Sequence, residues 1–368
     1  MRKICAACKK TYYEDVGECV FCFSKLEQCN LPENLRVKSY TQVNIPSLNH
    51  KETPYYCLLA EDSNGNIFLT KSMVLPEKDQ AINLKDDNLK LDMQIGVIGT
   101  GIMGRGITQL LLRKGASVTL ISRSNEQLKQ VREQISKHLS TFVGLKEKEE
   151  LLHKLTLTTA IADLADADVV IESIKEDFAA KKNIFEKLNE VCSKETIIAT
   201  NTSCLSVTKL AAQVTNPSRV AGLHFSNPVE KMLLAEIVKT KYTSQPTIAL
   251  LKGLAERLGK KPTIVDDTPG FIANRIFIPY LLEAVYLFEQ GVDKKTIDDS
   301  VKFGYNHPLG PLQVIDLMGV DTFYDIVQHL HHSTGNEKFK VPQIIEEMVA
   351  KKTLGRKSGE GFYTYNKK

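Results

Sequence analysis

The most restrictive feature of this chain is the run IGVIGTGIMGRGITQLLLRKGASVTLIS, residues 95–122, where glycines at G-x-G-x-x-G spacing separate an apolar segment from an amphipathic one. A strand, a turn, a helix and a second strand accommodate that pattern. Gly99 permits the tight turn, Gly101 lets backbone come close to a ligand, and Gly104 removes the side chain that would hold the helix off the strand. The helix beginning there offers its first N–H groups to an anion. The loop of Gly99, Gly101, Ile102, Met103 and Gly104 is therefore expected to cradle a dinucleotide pyrophosphate.

The second strand of such a unit usually ends in a carboxylate that accepts from the adenosine ribose hydroxyls. Here it ends in Ser122, Arg123 and Ser124. A guanidinium can pair with a 2′-phosphate and stack on adenine, and serine hydroxyls can donate to its oxygens, so NADP(H) is expected in preference to NAD(H). The competing reading is an arginine that merely faces solvent.

Alternation of strand and helix continues through LTLTTA, VVIESI, FAAKKNIFEKLNEV, TIIATN, RVAGLHF and LLAEIV. This predicts an α/β Rossmann domain with a mostly parallel sheet over residues 93–270. From 271 to 368 strand signals nearly vanish and GFIANRIFIPYLLEAVYLFEQG opens an all-α domain. Before the glycine loop lie a charged linker at 86–92 and a β-rich stretch at 31–85, with a hairpin signal at Asn64-Gly65. Residues 1–30 carry Cys5, Cys8, Cys19 and Cys22 as two CxxC pairs ten residues apart. Four thiolates at that spacing close a tetrahedral site, so structural zinc is expected, with rubredoxin-like iron and free thiols as alternatives. Metal binding would contribute about 10 kcal/mol toward folding a segment too small for its own core.

At 368 residues, two or three compact units are expected. A formal charge of +4, with Lys and Glu interspersed, calls for no nucleic-acid partner. No apolar run suggests a membrane span or a signal peptide, so a cytoplasmic protein is expected.

Five motifs occur in order: GTGIMGRGI, ATNTSCLSVTKLA, GLHFSNPV with LLAEIV, DTPGFIANRI and GRKSGEGFYTY. Together they resemble the L-3-hydroxyacyl-CoA dehydrogenase family from about residue 93 to the end. Oxidising a secondary alcohol needs a base for the hydroxyl proton, and reduction needs the same group as an acid. His224 suits that task, and Glu236 on the next strand could fix its tautomer. The resemblance implies that His224 is the acid/base residue, Glu236 its orienting carboxylate, and Ser203 and Asn274 the partners of the reacting oxygen. It also places Asn201, Glu176 and Lys181 near the nicotinamide. Glu176 and Lys181 fall in ESIKEDFAAK, which is similar to the family's E-N-x-x-V-K except at Asp177 and Ala180. Read without the resemblance, they would equally be a solvated charge pair.

The family uses acyl-CoA thioesters and commonly dimerises through its helical domain, so an acyl-CoA substrate and a homodimer are implied. The ISRS departure favours 3-oxoacyl-CoA reduction over oxidation. The N-terminal part resembles zinc-ribbon plus OB-fold accessory proteins that bind acyl-CoA or a partner enzyme or carrier protein. Rival readings are a catalytically lapsed scaffold on the same fold, or a dehydrogenase of carrier-protein-bound or free hydroxy acids.

Overall fold

The computed structural model describes residues 93–365 fully, and the backbone of seven strands between Lys3 and Ile82. The chain divides into two compact units, Met1–Lys90 and Leu91–Lys368. In the first, β1 (Lys3–Cys5), β2 (Thr11–Tyr12) and β3 (Leu26–Gln28) form an antiparallel sheet in the order β2-β1-β3. A second antiparallel sheet, β6-β5-β4-β7, contains β4 (Leu35–Val43), β5 (Tyr55–Glu61), β6 (Ile67–Ser72) and β7 (Ala81–Ile82). Cys5 ends β1, whereas Cys8, Cys19 and Cys22 lie outside the described residues. The side chains of the expected metal site are thus not described.

The second unit is built on an eight-stranded sheet. Its strands are β8 (Gln94–Ile98), β9 (Ser117–Ile121), β10 (Leu155–Thr158), β11 (Val169–Glu172), β12 (Ile197–Thr200), β13 (Val220–Phe225), β14 (Leu234–Lys239) and β15 (Lys261–Asp266). They lie in the order β10-β9-β8-β11-β12-β13-β14-β15, parallel throughout except for the antiparallel pair β13–β14. The connecting helices are α1 (Ile102–Arg113), α2 (Asn125–Leu139), α3 (Leu145–His153), α4 (Phe178–Val191), α5 (Val207–Ala211) and α6 (Gln245–Arg257). Every residue of β11, β12 and β13 is buried, as expected for central strands covered on both faces, and two apolar clusters fill those faces. The edge strand β15 has no counterpart in the sequence-based pattern. Most of its side chains are exposed and Pro262 stands second in it, so it lacks the apolar alternation that marks a strand and tolerates the missing N–H only as an edge.

Chain order reverses between β8 and its neighbour β11, so a crevice opens beyond the C-terminal ends of these two strands. After β15 the chain is helical: α7 (Ala273–Glu289), α8 (Lys294–Gly304), α9 (Pro311–Met318), α10 (Val320–Thr334) and α11 (Gln343–Ala350) surround a separate apolar core that includes Leu281, Phe323 and Phe339. Two buried carboxylates bind the terminal GRKSGEGFYTY segment to these helices. Asp298 accepts from the Leu312 and Gln313 N–H groups and the Tyr363 hydroxyl, and Asp316 accepts from the Phe362 and Tyr363 N–H groups and the Tyr365 hydroxyl. Asp316→Ala strips three donors of their acceptor and is expected to destabilise the protein by about 2–3 kcal/mol, read from the urea midpoint of the helical part. Among the described residues, no helix is long and apolar enough to cross a membrane.

Candidate active site

The crevice is a cleft of about 1470 Å³, walled by the β8–α1 loop, the segment after β9, the ends of β11 and β12, and one face of α10. Gly99 has φ +113°, and its N–H donates to Ile121 carbonyl oxygen at 3.1 Å. A Cβ at Gly104 would sit 2.0 Å from the Gly99 carbonyl oxygen, so glycine alone allows α1 to start this close to the loop. Around Gly101, the N-cap of α1, a Cβ would meet nothing within 4 Å. No side chain caps α1 and its first turn holds no acidic residue, so its N–H groups and partial positive charge remain available to an anion. Ile102 is two-thirds exposed and lines the cleft together with Met103.

Both serines of the ISRS segment hold places in the fold. Ser122 is buried, and its hydroxyl donates to Gln127 Oε1 at 2.9 Å rather than standing free for a ligand. Ser124 is the N-cap of α2, accepting from the Gln127 N–H. Their first commitments are to the fold. Arg123 is exposed, lines the cleft, and makes no hydrogen bond or ion pair among the described residues. The S-x-x-Q spacing of Ser124 and Gln127 is a helix-start signature that would have located this cap from sequence.

Glu176 and Lys181 are not a pair of solvated charges, because Glu176 is exposed on the cleft wall but Lys181 is buried. Lys181 is 1% exposed and lies beneath the cleft rather than on its wall. Its Nζ is 2.7 Å from Glu172 Oε1 and 3.5 Å from Glu176 Oε2. Glu172, hidden at the end of an apolar strand, was missed by sequence reading. It is fully buried and also accepts from the Thr200 hydroxyl and the Ile174 N–H, the satisfaction a buried ion pair requires. Glu176 Oε1 accepts from the Thr202 hydroxyl and from the N–H groups of Ser203 and Cys204 at 2.6–3.0 Å. Burial pushes the Glu176 carboxyl up, but Lys181 and these donors outweigh it and hold it below the usual range. It stays charged and fastens the turn that carries Ser203. Glu176→Gln weakens that attachment, and kcat is expected to fall about tenfold with little change in cofactor affinity, as steady-state kinetics would show.

Beside this turn, Ser203 Oγ stands 3.2 Å from His224 Nε2, and His224 Nδ1 is 2.9 Å from Glu236 Oε2. The antiparallel ladder of β13 and β14 pairs His224 directly with Glu236, which puts both side chains on one face. The other oxygen of Glu236 accepts from the Ile272 and Ala273 N–H groups at 3.1 and 2.9 Å, at the start of α7. Burial raises the Glu236 carboxyl, but His224 and these two N–H groups lower it more, leaving it below its ordinary value. An ionised Glu236 requires a proton on Nδ1, so in the neutral ring the lone pair on Nε2 faces Ser203 and in the protonated ring an N–H does. The His224 ring rests against Phe271, centroids 5.6 Å apart. Asn274 Nδ2 donates to the Ser203 carbonyl oxygen at 3.3 Å, and Asn201 Oδ1 accepts from the Phe225 N–H at 2.9 Å. The structure thus brings Ser203, His224, Glu236 and Asn274 together, with Asn201 bridging the ends of β12 and β13. From the helical part, α10 adds Thr322, Asp325, His329 and His332 to the cleft wall, which sequence reading did not foresee.

A bare glycine loop at a topological switch point, beside an imidazole held by a buried carboxylate, defines a nicotinamide-dinucleotide oxidoreductase. The 3-hydroxyacyl-CoA dehydrogenase NAD-binding domain model matches residues 94–268, and that family's C-terminal domain model matches 270–365. The chain belongs to the 3-hydroxyacyl-CoA dehydrogenase family. It is 39% identical over 281 residues to 3-hydroxybutyryl-CoA dehydrogenase of Clostridioides difficile, covering 75% of this chain and all of that one. It is 36% identical over 311 residues to mitochondrial hydroxyacyl-coenzyme A dehydrogenase of Sus scrofa, covering 81% and 99%. The crystal structure of (S)-3-hydroxybutyryl-CoA dehydrogenase from Ralstonia eutropha superposes with a TM-score of 0.71 at 34% identity, over 75% of this chain and 99% of that one.

Proposed function

We propose that this enzyme is an NADP(H)-preferring 3-hydroxyacyl-CoA dehydrogenase that works mainly as a 3-oxoacyl-CoA reductase on short substrates such as acetoacetyl-CoA. The row Ser203–His224–Glu236, which meets the cleft at Ser203 with the imidazole and carboxylate buried behind it, carries the reading. The exposed Arg123 where a carboxylate usually stands supports the cofactor preference, and with it the reductive direction.

The cleft fits a dinucleotide: an uncapped helix start and a bare Gly101 for the pyrophosphate, and Arg123 for the adenosine end. When bound, the nicotinamide supplies or accepts the hydride exchanged at the substrate's C3. All other work falls to this chain. In reduction, protonated His224 gives its Nε2 proton to the C3 oxygen, while Glu236 stabilises the imidazolium through Nδ1. The Ser203 hydroxyl, held beside Nε2, donates to the same oxygen, and the Asn274 amide adds a further contact there. Oxidation runs the same groups in reverse. Asn201 and Glu176, both on the cleft wall, are the residues that would lie nearest the nicotinamide, and Lys181 acts from beneath by keeping Glu176 charged.

Structural zinc at Cys5, Cys8, Cys19 and Cys22, and an OB-like module that binds acyl-CoA, a carrier protein or a partner enzyme, rest on sequence spacing and resemblance. Homodimerisation through the helical part is supported by the exposed apolar side chains of Ile276, Phe303 and Tyr305. A cytoplasmic location is inferred from sequence alone. The deciding measurement is turnover of acetoacetyl-CoA by the purified full chain with NADPH and with NADH. Negligible rates with both would favour a lapsed scaffold, and preference for a free 3-oxo acid over its CoA thioester would move the substrate class.

A further inference from the structure

We propose that Gln127 is a specificity-determining residue of the cofactor site, whose amide, oriented by Ser122, reads the 2′ position of the adenosine beside Arg123. This inference deepens, and rests on, the NADP(H) reading above.

Gln127 occupies the third position of α2, where a glutamine normally reaches back to the N-cap backbone. Here its backbone N–H binds Ser124 Oγ, but its side chain is diverted to Ser122, whose buried hydroxyl donates to Oε1 at 2.9 Å. A neutral amide has one acceptor oxygen and a donor nitrogen with two N–H groups. With the oxygen engaged by Ser122, Nε2 is left without a hydrogen-bond partner among the described residues, and Gln127 lines the same cleft as Arg123. A donor pair in the same cleft as a guanidinium suits a phosphate monoester, which only accepts, better than a ribose hydroxyl, whose own proton then needs an acceptor elsewhere. The pairing has a second setting. If the amide turns over, Nε2 donates to the Ser122 oxygen and Oε1 is presented to the cleft, an acceptor for a 2′-hydroxyl. Ser122 can serve as donor or acceptor, so it supports either setting. The pair thus accounts for preference without exclusion: phosphate is read by Arg123 and Nε2, and NADH retains a weaker mode through Oε1.

The test is kcat/KM for NADPH and NADH in the full chain and in Gln127→Glu, Ser122→Ala and Arg123→Asp, with acetoacetyl-CoA saturating. Glutamate at this position is a favourable first-turn residue, so folding should survive, and circular dichroism checks it. A carboxylate there is a permanent acceptor that repels phosphate. Gln127→Glu is expected to lose about ten- to a hundredfold with NADPH, the worth of one charge-assisted bond, and to keep or improve its NADH value. Ser122→Ala, which frees the amide to rotate, should shift the same ratio in the same direction by a smaller factor. If Gln127→Glu leaves the NADPH/NADH ratio unchanged while Arg123→Asp moves it, the role of Gln127 is refuted and the NADP(H) reading stands. If wild type prefers NADH and neither variant moves the ratio, both are overturned.

Discussion

Replacing His224 by alanine is expected to lower kcat for acetoacetyl-CoA by about two to four orders of magnitude, the range a positioned general acid contributes. The expectation follows from how completely the site is organised around that ring. Glu236 takes two backbone N–H groups on one oxygen and His224 Nδ1 on the other, so its charge is available only to the imidazole and to the start of α7. Ser203 lies 3.2 Å from Nε2 and has no comparable proton to give. Without the ring, the reacting oxygen can still be bound by Ser203 and Asn274, so KM for the thioester should change far less than kcat. Because Glu236 keeps its two backbone donors, the fold should persist, and cofactor affinity by fluorescence titration should be near that of wild type. A loss smaller than tenfold would remove His224 from the proton-transfer role.

Exchanging Arg123 for aspartate should reverse the cofactor preference. Arg123 is exposed on the cleft and makes no hydrogen bond or ion pair among the described residues, so its charge is not needed by the fold there. A charge-assisted pair is worth about 1.5–3 kcal/mol, and aspartate replaces it with repulsion. NADPH should lose about a hundredfold or more in kcat/KM, while NADH gains an acceptor for its ribose hydroxyls. Thermal midpoints should not move appreciably, since surface changes of this kind rarely do. If wild type already favours NADH and Arg123→Asp leaves both constants unchanged, the cofactor assignment and the reductive direction drawn from it are lost together.

The parts of this site that were legible in the sequence are those that local chemistry specifies. Gly99 and Gly104 announce a turn and a close helix because no other residue can hold φ +113° or sit 2.0 Å from a carbonyl. The buried strands β11 to β13 announce themselves as continuous apolar runs. His224 and Glu236 were recognisable by residue type and motif, but their direct opposition depends on β14 running antiparallel in an otherwise parallel sheet. Glu172 was invisible because a lone acid at the end of VVIE looks like the first loop residue, although it is fully buried against Lys181. Spacing named Ser122 as a candidate ligand donor but carries no information on where its hydroxyl proton goes, which here is Gln127 Oε1. The edge strand β15 escaped because exposure erased its alternation.

From its sequence alone, this protein was committed to a glycine-loop unit, a mostly parallel sheet and a helical end, since those depend on residues a few positions apart and on intrinsic backbone freedom. Tertiary structure alone decided which polar groups meet. Asn274 reaches the Ser203 backbone across 71 residues, Lys181 finds its partner under the cleft floor, and α10 closes one wall from the far end of the chain. Those encounters are set by packing, where burial makes most polar groups find a partner, and the identity of that partner is a property of three-dimensional neighbours rather than of spacing along the chain.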